Sequence, residues 1–521
     1  MTRTAEEIGA GLAPVRRARR IELGERIHVV GIGGAGASAA ALLARAAGAV
    51  VSGCDAGGET PYTAALAAAG IDVTAGHDAA HVRAAPPPSR LAVSKALTAV
   101  APDHPELEAA RAAGIPIEPW QQVIADAAVG RRLVAVAGTH GKSTSAGWLT
   151  HVLATAGQDP SAFVGALMPA SLTGGVPATA RIGAGPGFVV EADEYAGNFD
   201  AYEPAIIVLT SAEWDHPDVF ADRAAVLAAF ERWIRAAQPN ATLIANVGDP
   251  GVSEIVERLA AWTGTVLAVA VVATAADQLA GYGRGIAERY RTAMGPAGWL
   301  LGRIVDSTPD GTAVEVHGRD ALRGPWVARL PTAGRHNVAN ALGVAGAAVA
   351  LGIGQPAILA GLESFPGIGR RLERKGEAAG VAVYDDYGHH PTAIRETVGA
   401  LRQREPDRRI WAVYEPLTFH RTAALLGEFA LALATADRVV VTDIWAGRDV
   451  DTSIVTPADL AAAVARLRPE IAPATPGSVE ATADWLGGEV RPGDVVLVMG
   501  GGRSYVIGDR LLRRLEAHGR P

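Results

Sequence analysis

Short apolar runs alternate with alanine-rich, helix-like segments along most of the chain, and this alternation predicts α/β units. The first unit starts with an apolar run at 27–30, turns through GIGGAG into a helix from about Ser38, and reaches a second apolar run at 50–54. This order is typical of a βαβ unit: a strand, a glycine turn, a helix, a second strand and an acid at its end. A parallel sheet with flanking helices is therefore predicted for the first part of the chain.

Two further units follow the same alternation. The second starts with an apolar run at 133–137 that leads directly into GTHGKST, and the third follows the breaker residues Phe365, Pro366 and Gly367. The other predicted elements are strands at 188–190, 206–210, 242–245, 381–384, 410–414, 438–442 and 495–499, a helix at 337–351, and short strands and loops at 262–329. We therefore expect three α/β domains, at 22–130, 131–367 and 368–521, with a hinge near Pro366-Gly367.

The composition fits a globular protein and argues against several classes. Of the 521 residues, 49% are hydrophobic and 20% charged, and the formal net charge is −8, so nothing indicates a nucleic-acid partner. We expect neither a membrane span nor a secretory signal, because no apolar stretch is long enough for a span and the first residues show no apolar region ahead of a cleavage site. The one cysteine of the chain, Cys54, excludes an internal disulfide and a cluster of several cysteines around a metal. We expect a cytoplasmic protein with small-molecule partners, and the sequence makes no prediction of oligomeric state.

The segment 138–144 is the most informative motif. It consists of Gly138, Thr139, His140, Gly141, Lys142, Ser143 and Thr144. It lies between a buried-looking strand and a helix, where glycines let the backbone wrap a phosphate and the helix start supplies N–H donors. Lys142 adds a charge for the β- and γ-phosphates, and the Ser143 hydroxyl can bind Mg²⁺. The segment therefore predicts an ATP site, although Val136 replaces the first glycine of the strict phosphate-loop pattern.

A second glycine turn lies near the start of the chain. It contains Gly31, Gly33, Gly34 and Gly36, and Asp55 follows nineteen residues after the last of them. Taken alone, this spacing suggests a dinucleotide-dependent dehydrogenase or a turn that binds nothing. A dehydrogenase would leave the phosphate loop without a role, so this alternative ranks below a nucleotide-dependent ligase.

Further motifs occur in an order that resembles the Mur ligase family. They are EADE at 191–194, DHPD at 215–218, GRHN at 334–337, GRR at 369–371, DDYGHHP at 385–391, FHRT at 419–422 and the run VTDIWAGRD at 441–449. Together with GTHGKST they extend over nearly the whole chain, from Ile27 to Met499. The resemblance implies a UDP-binding Rossmann-like domain, a central phosphate-loop ATPase-type domain with a parallel or mixed sheet, and a C-terminal Rossmann-like domain.

The resemblance also implies a reaction. Members of this family use ATP to convert a carboxylate into an acyl phosphate, which an amine then attacks, and phosphoryl transfer of this kind needs positioning and charge neutralisation above all. The implied reaction joins L-alanine to UDP-N-acetylmuramate in peptidoglycan precursor synthesis, with ATP and Mg²⁺ or Mn²⁺. The residues that match the family's catalytic positions are Lys142, Glu191, His216 and Arg371, and the implied metal ligands are Ser143, Glu191 and His216.

Binding roles carry over in the same way. Besides the phosphate loop, ATP is expected to contact His336, Asn337, Asn340, Arg371, Asp386 and His390. The UDP group is expected at the first glycine turn, Asp55 and Ser94. Tyr387 and His389 are expected to face the incoming amino acid, and Arg421 to pair bidentately with its carboxylate.

Four features depart from the alanine-adding pattern of the family. Lys95, Ser211 and Leu417 replace the usual residues, and Tyr195-Ala-Gly-Asn-Phe199 follows EADE. EADEY and the run from Arg371 to Ile394 resemble the family's recycling enzymes, which attach a murein tripeptide to the same nucleotide. That amine is therefore kept as an alternative. A non-catalytic nucleotide-sugar-binding relative is a second alternative, but such a protein has no need for Lys142, Glu191, His216 and Arg371 together.

Overall fold

The structure of the chain is a computed structural model that describes residues 4–275, 278–291, 298–318, 325–447, 449 and 451–518. Three sheets follow one another along the sequence, with helices packed on them. None of the helices in these ranges combines the length and the apolar character needed to traverse a bilayer. The architecture confirms the predicted α/β class with three sheet-centred units.

The first sheet has five parallel strands in the order β3-β2-β1-β4-β5. Its strands are β1 Arg26–Val30, β2 Val50–Asp55, β3 Val73–Ala75, β4 Arg90–Val93 and β5 Ile117–Pro119. Its helices are α1 Ala5–Ile8, α2 Ala35–Ala46, α3 Thr63–Ala68, α4 Ala80–Arg83, α5 Lys95–Val100, α6 Pro105–Ala112 and α7 Trp120–Ala127. Helix α2 begins three residues earlier than predicted, directly at the end of the glycine turn.

The second sheet has ten strands in the order β15-β14-β13-β12-β11-β10-β6-β9-β7-β8. Its strands are β6 Arg132–Ala137, β7 Ser161–Met168, β8 Ala178–Arg181, β9 Gly187–Ala192, β10 Ile206–Leu209, β11 Thr242–Asn246, β12 Thr265–Val272, β13 Trp299–Thr308, β14 Gly311–Gly318 and β15 Trp326–Leu330. Its helices are α8 Lys142–Thr155, α9 Ala170–Thr173, α10 Arg223–Arg235, α11 Pro250–Arg258, α12 Leu279–Arg289, α13 Arg335–Ala350 and α14 Gln355–Glu363, with a 3₁₀ helix at Tyr195–Ala201. Parallel strands β9, β6 and β10 are central, so their carboxyl ends lie side by side.

One sequence prediction is wrong within this sheet. The segment 262–329 was expected to hold short strands and loops, but it forms the eight-residue β12, the helix α12 and the long antiparallel pair β13–β14. Scattered glycines obscured the strand pattern because Gly302 lies inside β13, where Leu342 of α13 packs against its bare backbone. Parts of this prediction, at 276–277, 292–297 and 319–324, lie outside the described residues.

The third sheet has six strands in the order β16-β17-β21-β18-β19-β20, all parallel except for the β16–β17 hairpin. Its strands are β16 Glu373–Ala378, β17 Val381–Asp386, β18 Arg409–Glu415, β19 Arg438–Thr442, β20 Ala474–Gly477 and β21 Asp494–Gly500. Its helices are α15 Pro391–Arg404, α16 Phe419–Ala424, α17 Leu426–Leu433, α18 Pro457–Leu467, α19 Val479–Glu489 and α20 Tyr505–His518, with a 3₁₀ turn at Pro469–Ile471. The predicted strands at 381–384, 410–414, 438–442 and 495–499 are confirmed.

A buried ion network fixes α7 beneath the first sheet. Arg90 on β4 is 2% exposed and donates to Glu118 at 2.6 Å and Asp126 at 2.5 Å, and its Nε lies 3.0 Å from Glu25. Arg16, from the segment before β1, donates to the same Glu118 and Asp126. Burial alone would raise the pKa of Asp126, but its bonds to these arginines lower it, so the carboxylate is ionised.

We expect Arg90→Leu to destabilise the first domain by about 3 kcal/mol, because three buried carboxylates would lose a shared cation. Calorimetry of the full chain should show the earliest unfolding transition at a lower temperature. Arg510→Ala removes an exposed ion pair with Asp484 and should leave that transition unchanged. Equal melting temperatures for Arg90→Leu and Arg510→Ala would contradict a stabilising role for the buried Arg90 network.

Candidate active site

The phosphate loop leaves β6 through a glycine that only a residue without a Cβ could replace, and it enters α8 without a side-chain cap. Gly138 has φ +133°, and a Cβ there would lie 2.3 Å from Thr210 Oγ1, directly after the neighbouring strand β10. Ser211 orders the loop, since its Oγ accepts from the His140 N–H at 2.8 Å and its carbonyl accepts from the Thr139 N–H at 3.2 Å. Gly141, the N-cap residue, offers no capping side chain, so the helix start presents its N–H groups to an anion.

Lys142 starts α8 as a half-buried ammonium among carboxylates. Its Nζ donates to Glu194 Oε2 at 3.0 Å and lies 3.5 Å from Asp193 Oδ1. Burial would lower the pKa of Lys142, but the charges of Glu194, Asp193 and Glu191 raise it, so the lysine stays protonated. Burial raises the pKa of Glu194 to about 7 although Lys142 opposes the shift. The site therefore holds more carboxylates than cations before any ligand enters.

Ser143 joins the loop to two predicted catalytic residues. Its Oγ donates to Glu191 Oε1 at 3.0 Å and accepts from Arg371 Nη2 at 2.7 Å. The Gly165 N–H fixes the other Glu191 oxygen at 2.6 Å. Arg371 precedes β16, so the third unit is already seated against the phosphate loop. Thr144 lies half-buried in the first turn of the same helix.

His216 belongs to a group of donors on the other side of Lys142. Ligand atoms of Asp193, Glu194 and His216 all lie within 4.8 Å of one another, and His216 Nε2 is 3.9 Å from Glu194 Oε1. His216 has φ +56°, a backbone conformation that costs energy outside glycine and is often kept at functional sites. The structure thus places Ser143 and Glu191 in contact and groups His216 with Asp193 and Glu194, two acids that the sequence-based ligand set left out.

The third unit supplies an arginine–tyrosine stack above the loop. The Tyr387 ring lies between the guanidinium groups of Arg370 and Arg371, at 5.1 and 5.0 Å from its centroid. His389 packs edge-on against Tyr387, and burial together with the Arg421 charge lowers the pKa of His389 well below its usual range. Tyr387 and His389 therefore present an aromatic surface beside the charged loop, next to the guanidinium groups of Arg370 and Arg371.

Arg421 is buried at the junction of the second and third units. It is 2% exposed; its Nε donates to Asp215 Oδ1 at 2.8 Å, and its Nη2 lies 3.1 Å from His216 Nδ1. Its remaining nitrogen, Nη1, is buried without a hydrogen-bond partner in the described part of the chain. Asp215 engages the Nε–H and His216 lies against Nη2, so the usual bidentate pair of Nε and Nη2 is obstructed. Nη1 is left for a ligand, and a bidentate contact stays a prediction.

Two predicted nucleotide ligands have protein partners. Asp386 accepts from the Leu372 and Gly388 N–H groups, both at 2.7 Å, one on each carboxylate oxygen. His390 accepts from the Thr392 N–H and lies 3.2 Å from the Trp214 carbonyl, and burial with the His140 charge lowers the pKa of His390 to about 4. Both side chains thus shape the junction between the units, and their contact with a nucleotide stays a prediction.

The predicted adenine residues lie at the start of α13, beside the phosphate loop. A Cβ on Gly141 would be 2.4 Å from Asn340 Oδ1, so this amide touches the loop directly. Asn340 Nδ2 donates to Asn337 Oδ1 at 3.2 Å, and Asn337 Nδ2 donates to the Ala333 carbonyl. His336 Nδ1 has no hydrogen-bond partner among the described residues and lies 3.6 Å from Glu396 on α15.

The predicted UDP residues gather at the carboxyl edge of the first sheet. Asp55, at the end of β2, accepts from the Gly33 N–H at 2.9 Å and from the Gly57 N–H at 2.7 Å. Gly36 packs so tightly on Trp120 that a Cβ would lie 2.2 Å from its ring. Gly31 takes φ +71°, Gly34 caps α2 without a side chain, and Ser94 directly follows β4. An anion-accepting helix start is therefore formed, with Asp55 as its backbone support.

Sequence reasoning missed several residues at the junctions. Lys95 is buried and donates to the Ala196 carbonyl at 2.8 Å, linking the first unit to the turn after EADE. Glu213 accepts from Thr392 Oγ1 at 2.8 Å and lies 3.3 Å from His140 Nε2. The signal for Asp193 and Asp215 was their place inside EADE and DHPD, and Lys95 stood out only as a departure from the family pattern. Glu213 gave no signal. In the run VTDIWAGRD, Arg448 lies outside the described residues.

Comparison with known families agrees with this arrangement of units. Residues 26–132 match the Mur ligase family catalytic domain, residues 136–348 the Mur ligase middle domain, and residues 370–502 the Mur ligase glutamate ligase domain. Among solved structures, UDP-N-acetylmuramate-alanine ligase from Thermotoga maritima superposes with a TM-score of 0.74 at 24% identity, covering 95% of this chain and 99% of that one. A murein peptide ligase from Psychrobacter arcticus gives 0.69 at 24% identity, covering 95% and 99%. At this identity the two structures speak for the fold alone.

Curated sequences extend the match. The UDP-N-acetylmuramate–L-alanine ligase of Frankia casuarinae is 37% identical over 519 residues, covering 94% of this chain and 98% of the relative. The enzyme of the same name from Kineococcus radiotolerans is 39% identical over 496 residues, covering 94% and 96%. Similarity at this level over nearly both full lengths, with all three domains matched in order, means that the chain belongs to the Mur ligase family.

Proposed function

We propose that this protein is a cytoplasmic, ATP-dependent ligase that joins L-alanine to the carboxylate of UDP-N-acetylmuramate in peptidoglycan precursor synthesis. The observation that carries the proposal is the convergence of Lys142, Ser143, Glu191 and Arg371 on one uncapped helix start. A module that only binds a nucleotide sugar has no use for a half-buried lysine amid carboxylates and an arginine from another unit. The identity to named L-alanine ligases supports the same reaction.

The chemistry follows from charge. The substrate carboxylate attacks the γ-phosphorus of ATP, and the bond from this phosphorus to the bridging oxygen breaks. The products are an acyl phosphate and ADP, which is the leaving group. The α-amine of alanine then attacks the acyl carbon, phosphate departs, and the amine loses a proton. Lys142, Arg371 and the N–H groups of α8 are positioned to offset the negative charge on the transferred phosphoryl group. Closure of the third unit over this site excludes water, which would otherwise hydrolyse the acyl phosphate.

The donor set suits a hard divalent cation. Ser143 and Glu191 supply oxygens 3.0 Å apart, and Asp193, Glu194 and His216 supply a second group of oxygen and nitrogen donors. We propose that Mg²⁺ or Mn²⁺ binds here through Ser143, Glu191 and His216, with Glu194 or Asp193 nearby. Such a cation would offset the excess of carboxylates around Lys142 and neutralise phosphate charge. Arg371 Nη2 donates to Ser143 Oγ, so the arginine side chain is positioned to contact the same phosphates.

The amine is proposed to bind at the junction of the second and third units. The free Nη1 of Arg421 is a buried, charged donor for one oxygen of the alanine carboxylate. Tyr387 and His389 lie on the same side of the junction, since His389 Nε2 is 4.0 Å from Asp215, the partner of Arg421. Leu417, half-buried against Gly501, makes this neighbourhood less polar. A small apolar side chain such as that of alanine fits these surroundings.

Lys142→Ala should abolish ligation while the fold is kept. Loss of a charge that acts on the transferred phosphoryl group should cost about 3 kcal/mol or more, which is at least a ~100-fold drop in kcat. Phosphate release that depends on both UDP-N-acetylmuramate and L-alanine is the assay. Lys375→Ala removes a lysine that pairs with Asp509 away from the loop and is the matched control. Near-native turnover by Lys142→Ala would rule out this loop as the ATP site.

Activity should require Mg²⁺ or Mn²⁺ and disappear on chelation. Glu191→Gln keeps the shape of the side chain but removes the charge, so the metal concentration needed for half-maximal activity should rise by about tenfold or more, whereas ATP binding should change little. Glu203→Gln, which changes a glutamate outside the proposed site, should leave the metal dependence unaltered. A metal response of Glu191→Gln equal to that of the unaltered protein would exclude Glu191 as a ligand.

The choice of amine is tested by comparing L-alanine, glycine, L-serine and a murein tripeptide as substrates. L-Alanine should give the highest kcat/KM, and glycine and L-serine should follow within about 10–200-fold, since a single small group is worth only about 1–3 kcal/mol. Arg421→Lys should raise the KM for L-alanine and leave the KM for ATP unchanged. If the tripeptide gives a higher kcat/KM than L-alanine, the protein is the recycling enzyme of the same family.

A further inference from the structure

A second cluster of metal-type donors lies in the first domain, away from the phosphate loop. It consists of His28 on β1, Cys54 on β2, His77 before α4, His81 on α4, and His104 and Glu106 at the start of α6. Four of the thirteen histidines of the chain and its one cysteine thus meet between two strands and two helices. Nothing in the ligation chemistry uses them.

Glu106 is the centre of this histidine–cysteine cluster. It is fully buried, and its oxygens lie 3.0 and 3.1 Å from Cys54 Sγ, 2.5 Å from His81 Nδ1, 3.6 Å from His28 Nε2 and 3.5 Å from His77 Nδ1. Its neighbours among the described residues are a thiol and imidazoles, and they include no lysine or arginine. A buried carboxylate without a permanently charged partner is suited to bind a cation.

Buried ring nitrogens without partners point into the same space. His28 is 3% exposed; its Nδ1 lies 2.9 Å from Ser52 Oγ, which orients the ring, while Nε2 faces Glu106 without a hydrogen bond in the described structure. His104 is 7% exposed, and neither of its ring nitrogens has a hydrogen-bond partner there. A ligand imidazole held by an outer hydrogen bond, with its other nitrogen free, is the usual arrangement at a protein metal site.

The spacing suits a tetrahedral ion. Ligand atoms of His28, Cys54, His81 and Glu106 all lie within 4.8 Å of one another. Metal–ligand bonds of about 2.0–2.3 Å place neighbouring donors of a tetrahedral zinc site about 3.3–3.8 Å apart. Small side-chain shifts would bring these four atoms to that spacing. One thiol, two imidazoles and a carboxylate are donors for zinc and similar first-row ions, whereas Mg²⁺ takes oxygen ligands.

We propose that the first domain binds one zinc-class divalent ion through Cys54, Glu106, His28 and His81, with His77 and His104 beside it. On binding, the Cys54 thiol gives its proton to solvent and its sulfur bonds the metal, while the imidazoles bind as neutral ligands and Glu106 as a carboxylate. The ion supplies the positive charge that the buried Glu106 lacks. It ties α4 and α6 to β1 and β2.

The site is coupled to the glycine turn by one residue. The Cys54 carbonyl accepts from the N–H groups of Gly31 and Ile32, at 2.9 and 3.1 Å, and the next residue, Asp55, holds Gly33. A bound ion at Cys54 would therefore stiffen the turn on which the UDP group is proposed to bind. The binding experiment below does not rest on that function, because it needs neither substrate nor turnover.

The test uses the full chain, with any affinity tag removed and excess Mg²⁺ present. Zinc titration against a chromophoric chelator should give one tight equivalent per chain, with release of a proton. Loading the unaltered protein with Co²⁺ should give two spectral features. These are a sulfur-to-cobalt charge-transfer band and the intense visible bands of a tetrahedral ion. Cys54→Ser should remove the charge-transfer band and weaken zinc binding by more than about 100-fold, since even outer-sphere changes cost 10–100-fold.

Two variants make the result specific. His81→Gln, at a half-exposed ligand, should weaken zinc binding and keep the sulfur-to-cobalt band, and circular dichroism should show that each variant is folded. His317→Ala, a histidine paired with Glu315 on β14, is the control and should bind zinc normally. The proposal is overturned if the unaltered protein shows no zinc equivalent or no sulfur-to-cobalt band. It is equally overturned if Cys54→Ser keeps full affinity, which would place the ion at a group of donors that does not include Cys54.

Discussion

The ion pair between the Lys142 ammonium and the buried Glu194 carboxylate is the interaction around which the catalytic region is arranged. It ties the start of α8 to the end of β9, and the neighbouring Asp193 and Glu191 leave the group with an excess of negative charge. Negative charge without a matching cation is costly where water is largely excluded, so further cations are stabilised here. Arg371 approaches from the third unit and reaches Ser143. A divalent ion is suited to supply the positive charge that these carboxylates still lack. Arg421 supplies it to the neighbouring Asp215.

Much of the fold and of the phosphate loop followed from the sequence, because both depend on local patterns. The strands at 438–442 and 206–210 and the helix at 337–351 came out within about two residues, since apolar runs and glycine turns mark them. Lys142, Ser143 and Glu191 were found because their motifs are contiguous. The segment 262–329 was misjudged, since internal glycines resemble turns until the packing of Gly302 against α13 is known.

The rest of the site depends on contacts between units, which no local pattern encodes. Arg421 was assigned a bidentate ligand contact, but Asp215 lies 206 positions earlier in the chain and occupies its Nε. Asp386 and His390 sit in a recognisable motif, yet their polar atoms bond to backbone groups of the loops that they hold. A motif thus identifies which residues matter at a junction, whereas the division between ligand contact and structural support depends on the folded arrangement.

The departures from the family pattern can also be divided into residues that support the structure and residues that lie near a proposed ligand. Lys95 and the turn 195–199 are one feature, because the buried Lys95 ammonium donates to the Ala196 carbonyl, where the backbone takes φ +48°. Ser211 keeps a polar contact to the loop through His140. Lys95 and Ser211 therefore concern how the units and the loop are held and say little about the amine. Tyr195, in the same turn, packs edge-on against His216, which lies 3.1 Å from Arg421 Nη2. Leu417 packs on Gly501 and precedes Arg421 by four residues. Tyr195 and Leu417 are thus the departures whose chemistry bears on the proposed amine site.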